Sequence, residues 1–347
     1  MSSNIASYLA SLINAQQRVL FVGPPGCGKT ARITAAAKAA GRRLVVFRLS
    51  LAERVDLGGC LIPDTAKGVT VSLPLQLLHD LRTNPEPTIL LLDDLGQGPM
   101  DVQAGSMSLF DPGALPSNVL IWGATNRPGD KSGSPALCEP LRSRFHLAYA
   151  VSTPDTKDAP DGAVILAPWS DEVEAWCRWA NDQEFAPEII AWHRATTGRT
   201  LYNWRPVSDP GVRLPDFRSW ETVGRLWNAG LNDLRTLSAA IGKPAAAEFL
   251  AFAALASQLP SPAQVWMDPE GAPVPAEPAA QYLIASMLGR ALTAKHCGPF
   301  LRYANRLPRV MSAFAVRDAF NRVGGTLTGH PEWTRWFESN GVLFQTN

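Results

Sequence analysis

The sequence predicts an α/β fold: a central parallel five-stranded sheet covered by helices on both faces, followed by an all-helical region. Two observations carry that prediction. Over the first 150 residues, short and continuously apolar runs alternate with helical stretches, as a parallel sheet with crossover helices requires. Beyond Ser170 the β-branched runs disappear, and helical patterns carrying Trp176, Trp179, Trp192, Trp220 and Trp227 take their place.

In chain order, the predicted strands are Arg18 to Val22, Leu44 to Phe47, Thr88 to Leu92, Val119 to Gly123 and His146 to Val151. Each is apolar along its whole length rather than in alternation, so each calls for cover on both sides. A helix from Thr30 to Ala40 follows the first of them. Ser152-Thr-Pro-Asp-Thr-Lys-Asp-Ala-Pro-Asp-Gly162 is dense in Pro, Asp and Gly and marks a domain boundary. A second break, Leu259-Pro-Ser-Pro262 followed by Asp268-Pro-Glu-Gly-Ala-Pro-Val-Pro275, precedes a helical pattern over Ala279 to Thr293. The chain is thereby divided into an α/β domain (1–155), a helical domain (156–260) and a small helical C-terminal module (261–347).

Composition narrows the function. A formal net charge of +1 over 347 residues gives no polyanion-binding field, so nucleic acid is not implied. Ten of the eleven tryptophans lie beyond residue 160 without interleaved basic residues, which favours helix packing over base stacking. The N-terminus has no basic segment followed by an apolar core, and no apolar run reaches the length of a membrane span; a soluble, cytoplasmic protein is expected. Five scattered cysteines, Cys27, Cys60, Cys138, Cys177 and Cys297, fit reduced thiols rather than a disulfide frame or a zinc site.

The chemistry is concentrated in the first domain. Gly23-Pro-Pro-Gly-Cys-Gly-Lys-Thr30 fits G-x-x-x-x-G-K-[ST] directly after the first strand. The residues Gly23, Pro24, Pro25, Gly26, Cys27 and Gly28 form a loop around a phosphate, with backbone N–H donors from all but the two prolines; Lys29 reaches the β- and γ-phosphates, and the Thr30 hydroxyl can sit on Mg²⁺. The implied ligands are ATP and Mg²⁺. Cys27, beside Lys29 at a helix start, is in a setting that favours thiolate, and a maleimide is expected to inactivate the protein. Ile89-Leu-Leu-Leu-Asp-Asp94 ends an apolar strand in two carboxylates, 64 residues after Lys29. Asp93 would hold the metal and Asp94 would orient the attacking water. The strand Val119 to Gly123 leads through Ala124-Thr to Asn126, whose amide could touch the γ-phosphate or the nucleophilic water. Pro140-Leu-Arg-Ser-Arg-Phe145 supplies Arg142 and Arg144 just before the last strand, where a guanidinium could stabilise a transferring phosphoryl group in a neighbouring subunit.

That order of motifs resembles the AAA+ ATPases, and Val55-Asp-Leu-Gly-Gly59 and Phe217-Arg-Ser-Trp-Glu-Thr-Val223 resemble their MoxR branch. The members most similar are those often encoded beside a protein with a von Willebrand factor A-like or metallopeptidase-like domain. The similarity covers about residues 15 to 255, with weaker likeness in Met267 to Pro275. It implies a P-loop AAA+ core with a helical lid, a homo-oligomeric ring of six subunits, and a chaperone-like activity that remodels or activates a protein partner. Residue by residue it makes Gly23 to Thr30 the Walker A loop, Asp93 and Asp94 Walker B, and Asn126 sensor 1. Arg144 becomes the arginine finger, with Arg142 second, and Arg218 becomes sensor 2. Two features depart from the family. Asp94 stands where it has Glu, one methylene longer, so slow turnover is expected. Ser106 to Asn118 is short for the usual pore-facing hairpin, while Cys60 to Ser72 reads as a companion hairpin turning at Pro63-Asp-Thr-Ala-Lys-Gly68. The competing readings are a DNA-directed motor resembling the RuvB helicase, which shares the Pro-Leu-Arg-x-Arg-Phe pattern, and an ATP-gated scaffold that barely hydrolyses.

Overall fold

Every apolar run predicted as a strand is one. A computed structural model describes residues 3–127, 130, 137–154, 156, 163–207, 209, 211–327 and 329–340. Its strands are β1 (Val19–Val22), β2 (Arg43–Arg48), β3 (Cys60–Asp64), β4 (Val69–Leu73), β5 (Thr88–Asp93), β6 (Val119–Thr125), β7 (Leu147–Ala150) and β8 (Val164–Ile165). The main sheet has the order β2-β5-β6-β1-β7-β8 and every pairing in it is parallel. It therefore has six strands rather than five. The additional one, β8, is two residues long and pairs Val164 with Tyr149 and Ile165 with Ala150, too little apolar sequence to stand out as a run. Most of the boundary loop predicted before it, residues 155 and 157–162, lies outside the described residues.

The described residues form two compact units. One is Met1–Glu172 with Trp204–Asp209, the other Val173–Asn203 with Pro210–Asn347. In the first, the sheet is accompanied by α1 (Ser3–Asn14), α2 (Lys29–Ala39), α3 (Arg54–Gly58), α4 (Gln76–Thr83), α5 (Met100–Ser106) and α6 (Glu139–Arg142). Leu20, Leu90, Leu92 and Ile121 are buried in one cluster with Leu78 and Val102, and the residues that alternate with them, Val19, Phe21, Ile89, Leu91, Leu120 and Trp122, are buried as well, so both faces of these strands are covered.

Register decides what stands at the sheet's carboxyl edge. Val22 lies opposite Thr125, Leu92 opposite Gly123 and Arg48 opposite Asp93, so the ends of β2, β5, β6 and β1 meet side by side. The hairpin read in the sequence forms, and the segment read as short for one forms none. Cys60 to Leu73 folds into the antiparallel pair β3 and β4, with Ile62 opposite Val71, and leaves Leu61, Ile62, Val69, Val71 and Leu73 exposed. Between Ser106 and Asn118 there is only a 3-10 turn, Met107–Phe110, and no strand; Asp111-Pro-Gly113 breaks the run before pairing can start.

The division between the units falls within α7 (Trp169–Asp182). The second unit continues with α8 (Pro187–Ala195), α9 (Phe217–Asn228), α10 (Leu234–Ile241), α11 (Lys243–Ala253), α12 (Pro262–Met267), α13 (Pro278–Ala291), α14 (Cys297–Ala304), α15 (Arg309–Leu327) and α16 (Pro331–Asn340). Helix α13 packs against both α8 and α15. Trp176, Trp192, Trp220, Trp333 and Trp336 are buried, as helix packing requires. No helix among the described residues is long and apolar enough to cross a membrane.

Two polar residues of α8 are buried in this unit. Arg194 pairs with Asp318 of α15 at 2.6 Å and with Glu174 of α7 at 3.1 Å. His193 has no such partner: it lies edge-on between Trp176 and Trp220, with ring centroids 4.9 and 4.2 Å away, and neither ring nitrogen is hydrogen-bonded. Burial lowers its pKa from 6.5 to about 3. The unfolded chain thus takes up the proton first, and stability present above about pH 6.5 is lost as the pH falls toward about 3. Fully developed, that loss is on the order of 5 kcal/mol. Comparing His193→Phe with wild type by denaturant unfolding across this range should show a shallower acid slope in the variant; equal slopes would exclude His193 as the proton-linked group.

Candidate active site

The phosphate loop is built by chain direction and by glycine. Gly26 and Gly28 have φ of +73° and +82°, the left-handed region that side chains other than glycine rarely adopt. Left-handed residues alternating with right-handed ones are the general way in which a loop turns successive N–H groups to one side. The Gly23 N–H donates to the Thr125 carbonyl at 3.2 Å, which pins the start of the loop to the end of β6. At its far end the loop runs into α2, whose first residue is Lys29.

Lys29 is 8% exposed. Its Nζ donates to the carbonyls of Gly23 (2.9 Å) and Pro24 (3.1 Å) and to Asn126 Oδ1 (2.7 Å). The ammonium's three donors are therefore met by the loop itself and by the residue that follows β6. Beside it, Thr30 Oγ1 donates to Asp93 Oδ2 at 3.2 Å. Burial, and next the neighbouring Asp94 carboxylate, raise the Asp93 pKa above its ordinary value, against the opposing pull of the Thr30 hydroxyl, the Asp94 N–H and Lys29. A buried carboxylate crowded by a second one is a place where a divalent cation relieves the charge. The Thr30 hydroxyl and Asp93 carboxylate offer the oxygen donors that Mg²⁺ takes, with substrate phosphate and water completing its shell. Among the described residues, Lys29, Thr30, Asp93 and Asn126 are thus brought to one place.

Asp94 leaves the strand line. Its φ is +54°, tolerable for Asp more than for most residues, and its Oδ2 accepts from Ser50 Oγ at 3.2 Å. Ser50, just beyond β2, was not among the sequence candidates. It is a small polar residue at the carboxyl edge, but only the pairing of Arg48 with Asp93 brings it beside Asp94.

The three arginine candidates are all exposed. Arg142, exposed, is held by Glu139 at 2.9 Å one turn away. Arg144 is also exposed and has no ion-pair partner among the described residues, so its charge is available to another molecule. Arg218 is an exposed residue in the first turn of α9, in the second unit. That helix starts where it does because Asp216 accepts from the Ser219 N–H at 2.6 Å while Ser219 Oγ accepts from the Asp216 N–H at 2.8 Å, a reciprocal cap. Cys27 corrects the expectation of a reactive thiol. Its side chain is fully buried, lying where a Cβ on Gly23 would come within 2.8 Å of Sγ, so a maleimide has no path to it while the loop is folded. Cys27 serves the loop through its backbone.

Because Lys29 compensates phosphate charge in a loop otherwise made of backbone donors, Lys29→Ala should abolish ATP binding measured by calorimetry while leaving the circular dichroism spectrum unchanged. ATP affinity equal to wild type would remove the loop from the nucleotide site.

The chain is similar to several known proteins. Residues 19–152 match the family described as "ATPase family associated with various cellular activities (AAA)". An outer mitochondrial transmembrane helix translocase of Danio rerio is 30% identical over 151 residues, 40% of this chain and 36% of that protein. The Homo sapiens protein of the same name is 28% identical over 151 residues, 39% of this chain and 38% of its own. The chain thus spans little more than a third of the length of these curated relatives. Among solved structures, the Thermotoga maritima RuvB Holliday junction branch migration motor aligns at 19% identity over 51% of this chain and 50% of that chain, with a TM-score of 0.33. NtrX from Brucella abortus in complex with ADP aligns at 14% identity over 97% and 68%, with a TM-score of 0.39. Over residues 19–152, with a phosphate-loop pattern after β1, a paired carboxylate at the end of β5 and an amide after β6, the chain is similar to the AAA ATPase family.

Proposed function

We propose that the chain is an ATP-hydrolysing AAA+ protein of the MoxR branch that assembles as a hexameric ring in the cytoplasm and uses turnover to remodel or activate a protein partner. The observation that carries the nucleotide part is the convergence of Lys29, Thr30, Asp93 and Asn126 at one sheet edge. In this reading ATP phosphates replace the loop carbonyls as the principal partners of Lys29. Bound Mg²⁺, held by Thr30 and Asp93, supplies neutralisation of the charge on the β- and γ-phosphates. Asp94 orients water for attack on the γ-phosphorus as the bond to the bridging oxygen breaks, and Asn126 contacts the γ-phosphate. Arg144 of a neighbouring subunit, with Arg142 second, meets the charge that develops on the transferring group, and Arg218 acts as the lid's sensor.

The partner class rests on resemblance: Val55 to Gly59, the hairpin β3 and β4 that follows, and Phe217 to Val223 are similar to the MoxR pattern. The curated relatives are named as translocases of a transmembrane helix, which favours a polypeptide over DNA as the thing acted on. A partner with a von Willebrand factor A-like domain is the preferred candidate. An ATPase assay with single-stranded DNA, duplex DNA or the product of the adjacent gene tests this: stimulation by the protein alone is expected, and stimulation by DNA alone would replace the proposal with a DNA motor. One observation favours a second reading, an ATP-gated scaffold. The short Asp94 side chain already has its Oδ2 engaged by Ser50.

Retracting a water-orienting carboxylate by one methylene misplaces it by about 1 Å, which can cost on the order of a hundredfold in rate. Asp94→Glu should therefore raise steady-state turnover at unchanged ATP affinity, and Asp94→Asn should abolish turnover at unchanged affinity. Wild-type hydrolysis by Asp94→Asn would show that Asp94 is not the water-orienting group and would favour the scaffold reading, in which hydrolysis is incidental. A shared site makes a further demand. Arg144→Ala should bind ATP normally but lose most hydrolysis, and mixing it with Lys29→Ala should restore part of the activity, because some interfaces then pair an intact Arg144 with an intact loop. Absence of recovery in assemblies shown to be mixed would rule out hydrolysis between subunits.

A further inference from the structure

Three residues beyond Lys29, Arg32 is buried in the first turn of α2 at 6% exposure, and Glu172 is buried in the first turn of α7 at 2%. The guanidinium binds two things at once. Its Nη1 donates to the Cys27 carbonyl at 2.6 Å. Its Nε donates to Glu172 Oε1 at 3.2 Å, and Nη2 donates to Oε2 of the same carboxylate. Neither residue belongs to the phosphate-loop pattern. A buried ion pair is weak evidence of stabilisation in itself, because the loss of hydration offsets the attraction. What this pair does determine is direction, since a guanidinium and a carboxylate joined by two parallel bonds have one relative orientation.

The direction matters because of where the third bond goes. The Cys27 carbonyl and the Gly28 N–H belong to one planar trans peptide and point in opposite directions. Holding the oxygen on the Arg32 side of the loop turns the Gly28 N–H to the other. That N–H sits between the two left-handed glycines, Gly26 and Gly28, which set up the concave row of donors in a loop of this kind. Were the peptide to rotate, a carbonyl dipole would face an incoming phosphate in place of a donor.

We propose that Arg32, oriented by Glu172, is a positioning residue for the phosphate loop: it locks the Cys27–Gly28 peptide with its N–H toward the nucleotide. The inference rests on the ATP-binding reading and adds to it a pair of residues outside the motif. Arg32→Lys is the informative variant. Its ammonium can answer the Glu172 charge but cannot span the carboxylate and the Cys27 oxygen in a fixed fork. Calorimetric Kd for Mg·ATP and for ADP would be measured together with thermal unfolding. A weakening of both affinities by about tenfold, the scale of one charge-assisted hydrogen bond, is expected with an unfolding temperature within about 3 °C of wild type. Glu172→Gln, which keeps Arg32 and part of its acceptor, should weaken nucleotide by a smaller factor and serves as the readout if the lysine variant does not fold. The double variant should be no worse than Arg32→Lys, because both act on one peptide. Unchanged affinity in a folded variant overturns the proposal and leaves the ATP reading intact, making the pair a brace between α2 and α7. Wild-type protein that binds neither nucleotide overturns both.

Discussion

The site is organised around one buried cation. Lys29 cannot lie at 8% exposure without acceptors, because an unpaired ammonium away from water would cost several kcal/mol. Its three acceptors come from two separate stretches: the carbonyls of Gly23 and Pro24 after β1, and the amide of Asn126 after β6. To bring those oxygens together, β1 and β6 must be adjacent and parallel with Val22 opposite Thr125. The loop must also turn back on itself, which Gly26 and Gly28 allow. An anionic phosphate offers the same ammonium stronger partners than neutral carbonyls do, so the contacts that satisfy Lys29 here are suited to exchange.

Charges of the opposite sign stand on the neighbouring strand. Asp93 and Asp94 repel each other at the end of β5, and Asp93 is held above its ordinary pKa by burial and by that neighbour. Such a carboxyl binds a proton more readily than an exposed one, and a divalent cation competes for the same place. The two carboxylates are then separated in role by backbone: Asp93 ends the strand and bonds Thr30, whereas Asp94 turns into the left-handed region and bonds Ser50. One strand end thereby turns its two carboxylates toward different neighbours.

The second unit handles buried polarity differently. Arg194 is answered by Asp318 and Glu174, a fully paired charge, while His193 next to it is kept neutral between two indoles. Both tactics avoid an unpaired charge in a dry interior. The neutral His193 also makes this unit more dependent on pH than its apolar helix pattern alone would suggest.

Sequence alone determined the architecture and the local chemistry. Continuous apolar runs require cover on both faces, G-x-x-x-x-G-K-[ST] requires a phosphate-sized turn, and an apolar strand ending in Asp93 and Asp94 places carboxylates at a sheet edge; all three are short-range constraints written in adjacent residues. Tertiary structure decided whatever depends on which strands become neighbours. Ser50 reaches Asp94 because β2 pairs with β5. Arg32 meets Glu172 across 140 positions of sequence, and Cys27 turns its thiol inward beside Gly23, away from the solvent that its sequence setting had suggested. The two-residue β8 likewise exists only as an addition to β7. In each case the deciding contact joins residues distant in the chain, and no local pattern of apolarity, charge or turn chemistry encodes which distant atom will be there.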